Sequence, residues 1–462
     1  MQKVFKSCYE MDKKCYDKYG LNEDILMEHA ATFMEMFIRD NFKKGSNILI
    51  VSGAGNNGAD GIVLARLLHK DYKVYLYLPF GAKSHMAKLQ LKRAKLIGID
   101  ITDKIKDADI VVDALFGAGL NRELNKESIE IIEKLNSLKA YKIACDIPSG
   151  IDIKGNLLPI AFIADTTITM GALKSSLFSD IAKDFVGSIK VANLGVAREL
   201  YEDDSSSFIL EESDYNPPIR TKQNTHKGTF GHAAIFCGEK SGAAIISAMA
   251  ATRFGAGLTT IIYHESVEVP PYIMKATTLP NNTTAIAIGM GLGNYFEDDI
   301  LQKEVINTTI PIILDADALY KKELLEIVKQ KREVVITPHP KEFSWVLKLL
   351  DNITLSVEEI QKDRLNLAKE FSNRYPNVTL LLKGANPIIA KNSTIYINPL
   401  GSSVLAKGGS GDVLSGLIVS LLAQGYNSLN AAINGSLALA LASKKFTKPN
   451  YYLIPTDIIE LL

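Results

Sequence analysis

The chain has 462 residues, 47% hydrophobic and 23% charged, which is too long for one ordinary domain and too apolar for a disordered chain, so two globular domains are expected. With 52 basic against 52 acidic side chains, the formal charge is zero and offers no electrostatic footprint for nucleic acid or an anionic membrane. A polar N-terminus (MQKVFKSCYEMDKKC), no window near about 18 uninterrupted apolar residues, and four cysteines without C-x-x-C spacing point to a cytoplasmic protein with no membrane span, disulfide framework or structural zinc.

An amphipathic stretch at 24–40 reads as a helix that packs on a sheet. NILIVS at 47–52, the glycine-rich turn GAGNNGADG and the helical IVLARLLHK read as strand, loop, helix. The alternation continues through VYLYL at 74–78, a helix from His85 to Lys95, DIVVDALFG ending at Gly117, a helix at 127–137 and YKIACDIPSG ending at Gly150. Strands spaced by helices imply parallel pairing, with ligands at the carboxyl ends of the strands. Between Glu202 and Gly228 the texture changes to DDSSS and NPPIRTKQNTHKG, where a domain boundary is expected. A second alternation follows: HAAIFCG at 232–238, the small-residue helix SGAAIISAMAATRFGAG, LTTIIYH, AIAIGMGLG, PIILDADAL, EVVITP, VTLLLKG, the hairpin-like pair PIIAKN and STIYIN, and helices from Gly411 onward. That small-residue helix suits packing inside a domain or, equally, the interface of a homo-oligomer.

In the first half, Gly53, Gly55 and Gly58 satisfy G-x-G-x-x-G, which lets backbone approach an anionic ligand at a helix N-terminus; the same glycines also suit a plain tight turn. A dinucleotide fingerprint wants an acidic residue about 20 positions later, but the second strand ends Tyr77, Leu78, Pro79, Phe80, so a dehydrogenase-type site is disfavoured. Asn56, Asn57 and Asp60 place two amides and a carboxylate on the loop, and two more strand ends carry Asp113 and Asp146 with Ser149. In an open parallel sheet Asn57, Asp113 and Ser149 converge and can supply oxygens to one cation, whereas each alone would pass as a helix cap.

GAGNNGADG, VVDALFGAGL, CDIPSGID and MGALKSSL, in that order, resemble the NAD(P)H-hydrate epimerase family. The resemblance implies a Rossmann-like parallel-sheet domain over residues 1–210. It implies binding of hydrated NADH and NADPH by Asn56, Asn57, Gly58, Ala59 and Asp60, by Gly117, Ala118, Gly119, Leu120, Asn121, Arg122 and Glu123, and by Asp146, with a potassium ion on Asn57, Asp113 and Ser149. Ala59 stands where the family often has a second glycine. Epimerisation at a hydroxyl-bearing ring carbon moves protons, for which Asp146 is the candidate carboxylate and Lys174 a second polar group.

In the second half, GSSVLAKGGSGDVLSG at 401–416 is a glycine-rich loop opening a helix. Free amides of Gly409, Ser410 and Gly411 would form an anion hole, and Asp412 could accept a proton from a substrate hydroxyl; an N-capping Asp is the plainer alternative. With HKGTFGH, GMGLG, LDADAL, TPHPKEF and LKGA, this loop resembles the ADP/ATP-dependent NAD(P)H-hydrate dehydratase family. The resemblance implies a ribokinase-like α/β sandwich over residues 211–462, hydrate contacts by Ala243, Gly291, His339 and Asp412, and an adenine nucleotide (ADP, or ATP) held by Lys383, Gly384, Ala385, Asn386, Pro387 and Gly411. Tyr320 and Pro387 stand where the family commonly has Asn and Thr. His339, between two prolines, could equally cap its loop. Asp315 and Asp317 fit either magnesium held through water or strand caps. A vitamin-precursor kinase carrying a non-catalytic nucleotide-binding module is the alternative, since fold alone does not choose among ribokinase-like activities.

Overall fold

The computed structural model describes residues 1–293 and 301–462. The chain divides into two compact units, one of Lys3–Ser205 and one of Met1–Gln2 with Ser206–Leu462.

In the first unit, β1 (Gln2–Phe5), α1 (Tyr9–Tyr19) and α2 (Glu23–Asn41) precede the alternation β2 (Asn47–Ser52), α3 (Asn56–Leu68), β3 (Lys73–Tyr77), α4 (His85–Ile97), β4 (Asp100–Thr102), β5 (Ile110–Ala114), α5 (Lys126–Ser137), β6 (Tyr141–Cys145), β7 (Thr166–Met170), β8 (Leu173–Lys174), β9 (Ser188–Ala192) and α6 (Arg198–Tyr201). Seven strands form one parallel sheet in the order β4-β3-β2-β5-β6-β7-β9. β5 reads Ile110-Val-Val-Asp-Ala and is buried throughout, as a strand covered on both faces requires. Met34 and Ile38 of α2 and Ile62 of α3 cluster with Ile48, Ile50 and Val112, while Ile131, Ile132 and Leu135 of α5 cover the alternate residues Leu49, Val51 and Val111. Strand order reverses between β2 and β5, so their carboxyl ends open a crevice. β1 lies parallel to β8, with Phe5 opposite Lys174; neither strand nor α1 was anticipated.

The second unit holds β10 (Ser207–Ile209), β11 (His232–Phe236), α7 (Ser241–Arg253), β12 (Leu258–Ile262), β13 (Met274–Ala276), β14 (Ala285–Ile288), β15 (Ile312–Leu314), β16 (Val334–Ile336), β17 (Val378–Leu382), β18 (Ile388–Lys391) and β19 (Thr394–Ile397). Their order is β13-β12-β11-β14-β15-β16-β17-β18-β19-β10. Pairing is parallel from β13 to β17 and antiparallel at β17/β18 and β18/β19. Asn392 and Ser393, at φ +48° and +64°, form the tight turn of the expected hairpin. Helix Ser410–Ala423 packs on α7 through Gly416, where a Cβ would lie 2.3 Å from the Ser247 carbonyl oxygen. The unit is thus an α/β sandwich, as expected from the sequence. Among the described residues no helix is long and apolar enough to cross a membrane.

Candidate active sites

The first site grows from the turn after β2. Gly53 and Gly58 are needed for its shape: a Cβ at Gly53 would lie 1.8 Å from the Leu115 carbonyl oxygen, and one at Gly58 1.9 Å from the Gly53 oxygen. Gly55 has open space, so its missing side chain leaves room for a ligand rather than for packing. The turn opens on a cavity of about 1130 Å³ at the switch point, beyond the usual 300–1,000 Å³ of ligand pockets, and with room for a dinucleotide. Asn56, Asn57, Asp60, the whole run Gly117 to Glu123, Asp146 and Lys174 line it. Gly58 and Ala59 do not; both are buried behind the wall, where they shape the turn.

Asp146 sits just after β6 with φ +68°, a left-handed backbone that a non-glycine residue adopts only where surroundings enforce it. Its Oδ1 accepts from Lys174 Nζ at 2.6 Å, Thr169 Oγ1 at 3.2 Å and the Met170 amide at 3.2 Å. Its Oδ2 accepts from the Ala118 amide at 3.3 Å. Burial pushes this carboxyl up, but Lys174 and these hydrogen bonds outweigh it and hold Asp146 below the usual range. Burial opposes the Lys174 charge, and Asp146 more than restores it. Asp60 is the opposite case: burial first, then the charges of Asp146 and Asp12, push it well above the ordinary value. The cavity therefore holds one carboxylate clamped by a lysine and one carboxyl whose burial disfavours its charge, so the environments of its carboxyl groups diverge.

Behind the wall, Ser149 donates its hydroxyl to Asp113 Oδ1 at 2.7 Å and its amide to Oδ2 at 2.8 Å, while the Phe116 amide donates to Ser149 Oγ at 2.9 Å. Burial pushes Asp113 up to about 6 against these bonds. Asn57 presses against Gly117 and its side-chain amide nitrogen is buried with no partner.

The second site lies at the carboxyl ends of β14 and β15. Gly291, at φ +65°, faces Ala243, which a Cβ would meet at 3.2 Å. Asp412 stands in the first turn of helix Ser410–Ala423 without capping it; the N-cap is Gly409, at φ +92°. The N-cap alternative for Asp412 is thus set aside. Burial first, then Asp315, push Asp412 up to about 6, with Lys383 opposing. Lys383 Nζ lies 2.7 Å from Asp315 Oδ1 and 3.8 Å from Glu342 Oε2, and a Cβ at Gly411 would meet that Nζ at 3.6 Å. Lys383 to Pro387 form the loop between β17 and β18, with Gly384 and Ala385 exposed and Asn386 buried. The hydroxyl of Ser410 is buried with no partner.

His339 does cap its helix: Nδ1 accepts from the Glu342 amide at 3.2 Å and the Glu342 carboxylate accepts from the His339 amide at 2.8 Å. Nε2 is 3.3 Å from Glu342 Oε1 and the ring stays 46% exposed, so capping and ligand contact are compatible. Burial, then Lys383, lower its basicity. Asp315 accepts from Lys383, from Ser415 Oγ at 2.7 Å and from the Ala316 amide at 2.8 Å, and Asp317 accepts from the Gly293 amide at 2.9 Å. Asp315 is thus both a cap and the ion-pair partner of Lys383, whereas Asp317 holds the Gly293 amide; the described residues contain no cluster of three His, Cys, Asp or Glu that could hold a metal.

Sequence reasoning passed over Asp12, Tyr201, Glu342 and Ser415. Glu342 had a signal, since His339-Pro-Lys-Glu is a capping box with proline at its first helical position. Asp12 and Tyr201 had none within their own segments.

A cavity of dinucleotide size at the strand ends of one parallel sheet, and at the strand ends of another a cluster of Asp315, Lys383 and Asp412, make this a two-domain α/β enzyme. Comparison with known proteins sharpens the class. A family model for NAD(P)H-hydrate dehydratase matches residues 233–462, and one for the YjeF-related protein N-terminus matches 23–176. The bifunctional NAD(P)H-hydrate repair enzyme of Helicobacter pylori is 44% identical over 100% of this chain and 99% of its own. Its namesake from Dictyoglomus turgidum is 32% identical over 98% and 95%. A solved ADP/ATP-dependent NAD(P)H-hydrate dehydratase from Bacillus subtilis, crystallised with ATP and magnesium, shares 28% identity, covers 54% of this chain and 93% of its own, and has a TM-score of 0.47. The chain belongs to the bifunctional NAD(P)H-hydrate repair enzymes.

Proposed function

We propose that the chain repairs hydrated NADH and NADPH in two steps: residues 1–210 interconvert the R and S hydrates, and residues 211–462 return the S hydrate to NAD(P)H at the expense of ADP or ATP. The observation that carries the reading is the Lys174–Asp146 pair, 2.6 Å apart, inside a cavity large enough for a dinucleotide. Asp146 would take up a proton from the water that adds to the ring, from a position fixed by four donors, with Lys174 tempering the charge, while the amides of the Gly117 to Glu123 run hold phosphate oxygens.

The partnerless Asn57 amide presses on Gly117, the residue after the Phe116 amide that bonds to Ser149 and, through it, to Asp113, and this supports a potassium site: turning that amide over presents its oxygen, and amide, carboxylate and hydroxyl oxygens suit a hard cation. The ion would supply positive charge beside the ligand.

In the second unit the hydrate's hydroxyl is a poor leaving group until phosphorylated. Asp412 would accept its proton, the amides after Gly409 and the spare Ser410 hydroxyl would hold the transferred phosphoryl group, and loss of phosphate would regenerate the dihydronicotinamide. Lys383 would serve the nucleotide phosphates from its place between Asp315 and Glu342. Magnesium fits here as a partner of the nucleotide phosphates rather than of a protein cage. Four free, buried cysteines accord with a cytoplasmic setting.

The test is recovery of dihydronicotinamide absorbance from a mixture of R and S NADH hydrates with potassium, magnesium and ADP or ATP. Recovery of the whole mixture, faster than spontaneous epimerisation allows, is expected. Recovery of the S fraction alone would remove the epimerase half of the reading, and no recovery with either nucleotide would remove both halves.

A further inference from the structure

The mechanism above uses Asp146 and Lys174 and leaves two further carboxyls of the cavity wall, Asp60 and Asp12, without a role; Asp12, partly buried, is the one that a buried tyrosine holds. Asp12, on the first turn of α1, also lines the cavity. Tyr201, the last residue of α6 and 2% exposed, donates its hydroxyl to Asp12 Oδ1 at 2.6 Å. That approach depends on Gly171, at φ +75°, where a Cβ would lie 2.4 Å from the Tyr201 oxygen. A buried tyrosine aimed at one oxygen of a cavity carboxyl fixes that carboxyl's rotamer and leaves Oδ2 to serve the cavity.

We propose that Asp12 is a second catalytic residue of the epimerase site, the acid that protonates the departing ring hydroxyl, with Tyr201 as its positioning residue. The assignment rests on the epimerase reading of the cavity. In the step, the ring C–O bond breaks with its electron pair on oxygen, the Asp12 proton goes to that oxygen, and water leaves as the ring takes up the positive charge. Water then adds to the opposite face and gives its proton to the Asp146 carboxylate, exchange with solvent restores Asp12 and Asp146 to their starting forms, and nothing is oxidised or reduced. The Lys174 ammonium 2.6 Å from Asp146 Oδ1 favours the ionised form of that carboxyl, which suits it to the base rather than to this acid. The charged and titratable groups around Asp12 include Tyr201, Lys174, Asp146, Glu23, Asp60, Cys8, Cys15 and Tyr16; burial raises the Asp12 carboxyl most, and the Tyr201 hydrogen bond and Lys174 only partly oppose it.

The experiment follows R-to-S interconversion by the full chain with Asp12→Asn and Tyr201→Phe. General-acid catalysis is worth about 10²–10⁴-fold, so D12N should lower kcat at least 100-fold with KM within about threefold. An acid must be protonated to work, and the tyrosine bond lowers its pKa, so Y201F should move the limb on which kcat falls with rising pH to higher pH. Retained D12N turnover, D12N loss confined to KM, or a Y201F profile unmoved would each overturn the assignment. A wild-type chain that leaves the epimer ratio unchanged would instead overturn the epimerase reading, and this assignment with it.

Discussion

Single carboxyl groups set what each site can do at a given pH. Asp412 is pushed up to about 6 by burial and by Asp315, and a base works only when deprotonated. Dehydration rate should therefore fall on the acid side through about pH 6, approaching tenfold per unit below it; a rate flat from pH 5 to 8 would dissociate Asp412 from the proton transfer. Asp412→Asn should cut kcat by at least about 100-fold, for the same reason. The residue's role was legible from its glycine-flanked position, whereas its environment was not, because Asp315 and Lys383 reach it from strands about 100 and 30 residues upstream. Asp146 was legible as a strand-end carboxylate. Its left-handed backbone and its clamp by Lys174 were not, since both depend on β7 and β8, whose five and two residues are too short to show a period.

Elements are positioned by which glycines touch protein and which face open space. Gly61 on α3 is pressed into the sheet: a Cβ there would sit 2.6 Å from Ser52 Oγ and 2.8 Å from the Ala114 Cβ. Gly61→Val should then push α3 off β2 and β5 and cost about 1–3 kcal/mol, visible as a lower Tm. Gly55→Ala, with nothing within 4 Å, should leave Tm within about a degree or two but raise KM for the hydrate; unchanged binding would mean that the ligand does not pass over Gly55. The long alternating elements were readable from the sequence because strands buried on both faces and helices with an apolar side carry strong periodic signals. α1 escaped notice because only Met11 and Cys15 are buried along its YEMDKKCYDKY sequence, leaving no stripe to detect. The helix Pro340–Asp351 was missed despite its capping box, a signal that was present and unread.

At the scale of the whole chain, two activities on one polypeptide imply that a lesion in one unit should be read through the other. Given equal R and S hydrates with ADP or ATP, D146N should show a fast recovery whose amplitude equals the S fraction, followed by a slow phase at the spontaneous epimerisation rate. D412N should show no recovery while the epimer ratio still relaxes, measurable by chromatography. A single-phase, complete recovery by D146N would remove Asp146 from the chemistry.

The 2.6 Å bond from Tyr201 to Asp12 joins positions 189 apart in sequence, and β1 reaches forward to β8 in the same way. Closing so long a loop is entropically slow and follows the local strand–helix units. A ribosome that has delivered the first six sheet strands has made a folded platform with its glycine turn in place, yet Asp12 in the chamber wall still awaits the tyrosine at position 201 that holds it. Hydrate conversion is accordingly the last property the N-terminal half acquires during synthesis, and a chain trimmed to the 154 residues matched by the N-terminal family model, 23–176, would keep the turn and lose the wall.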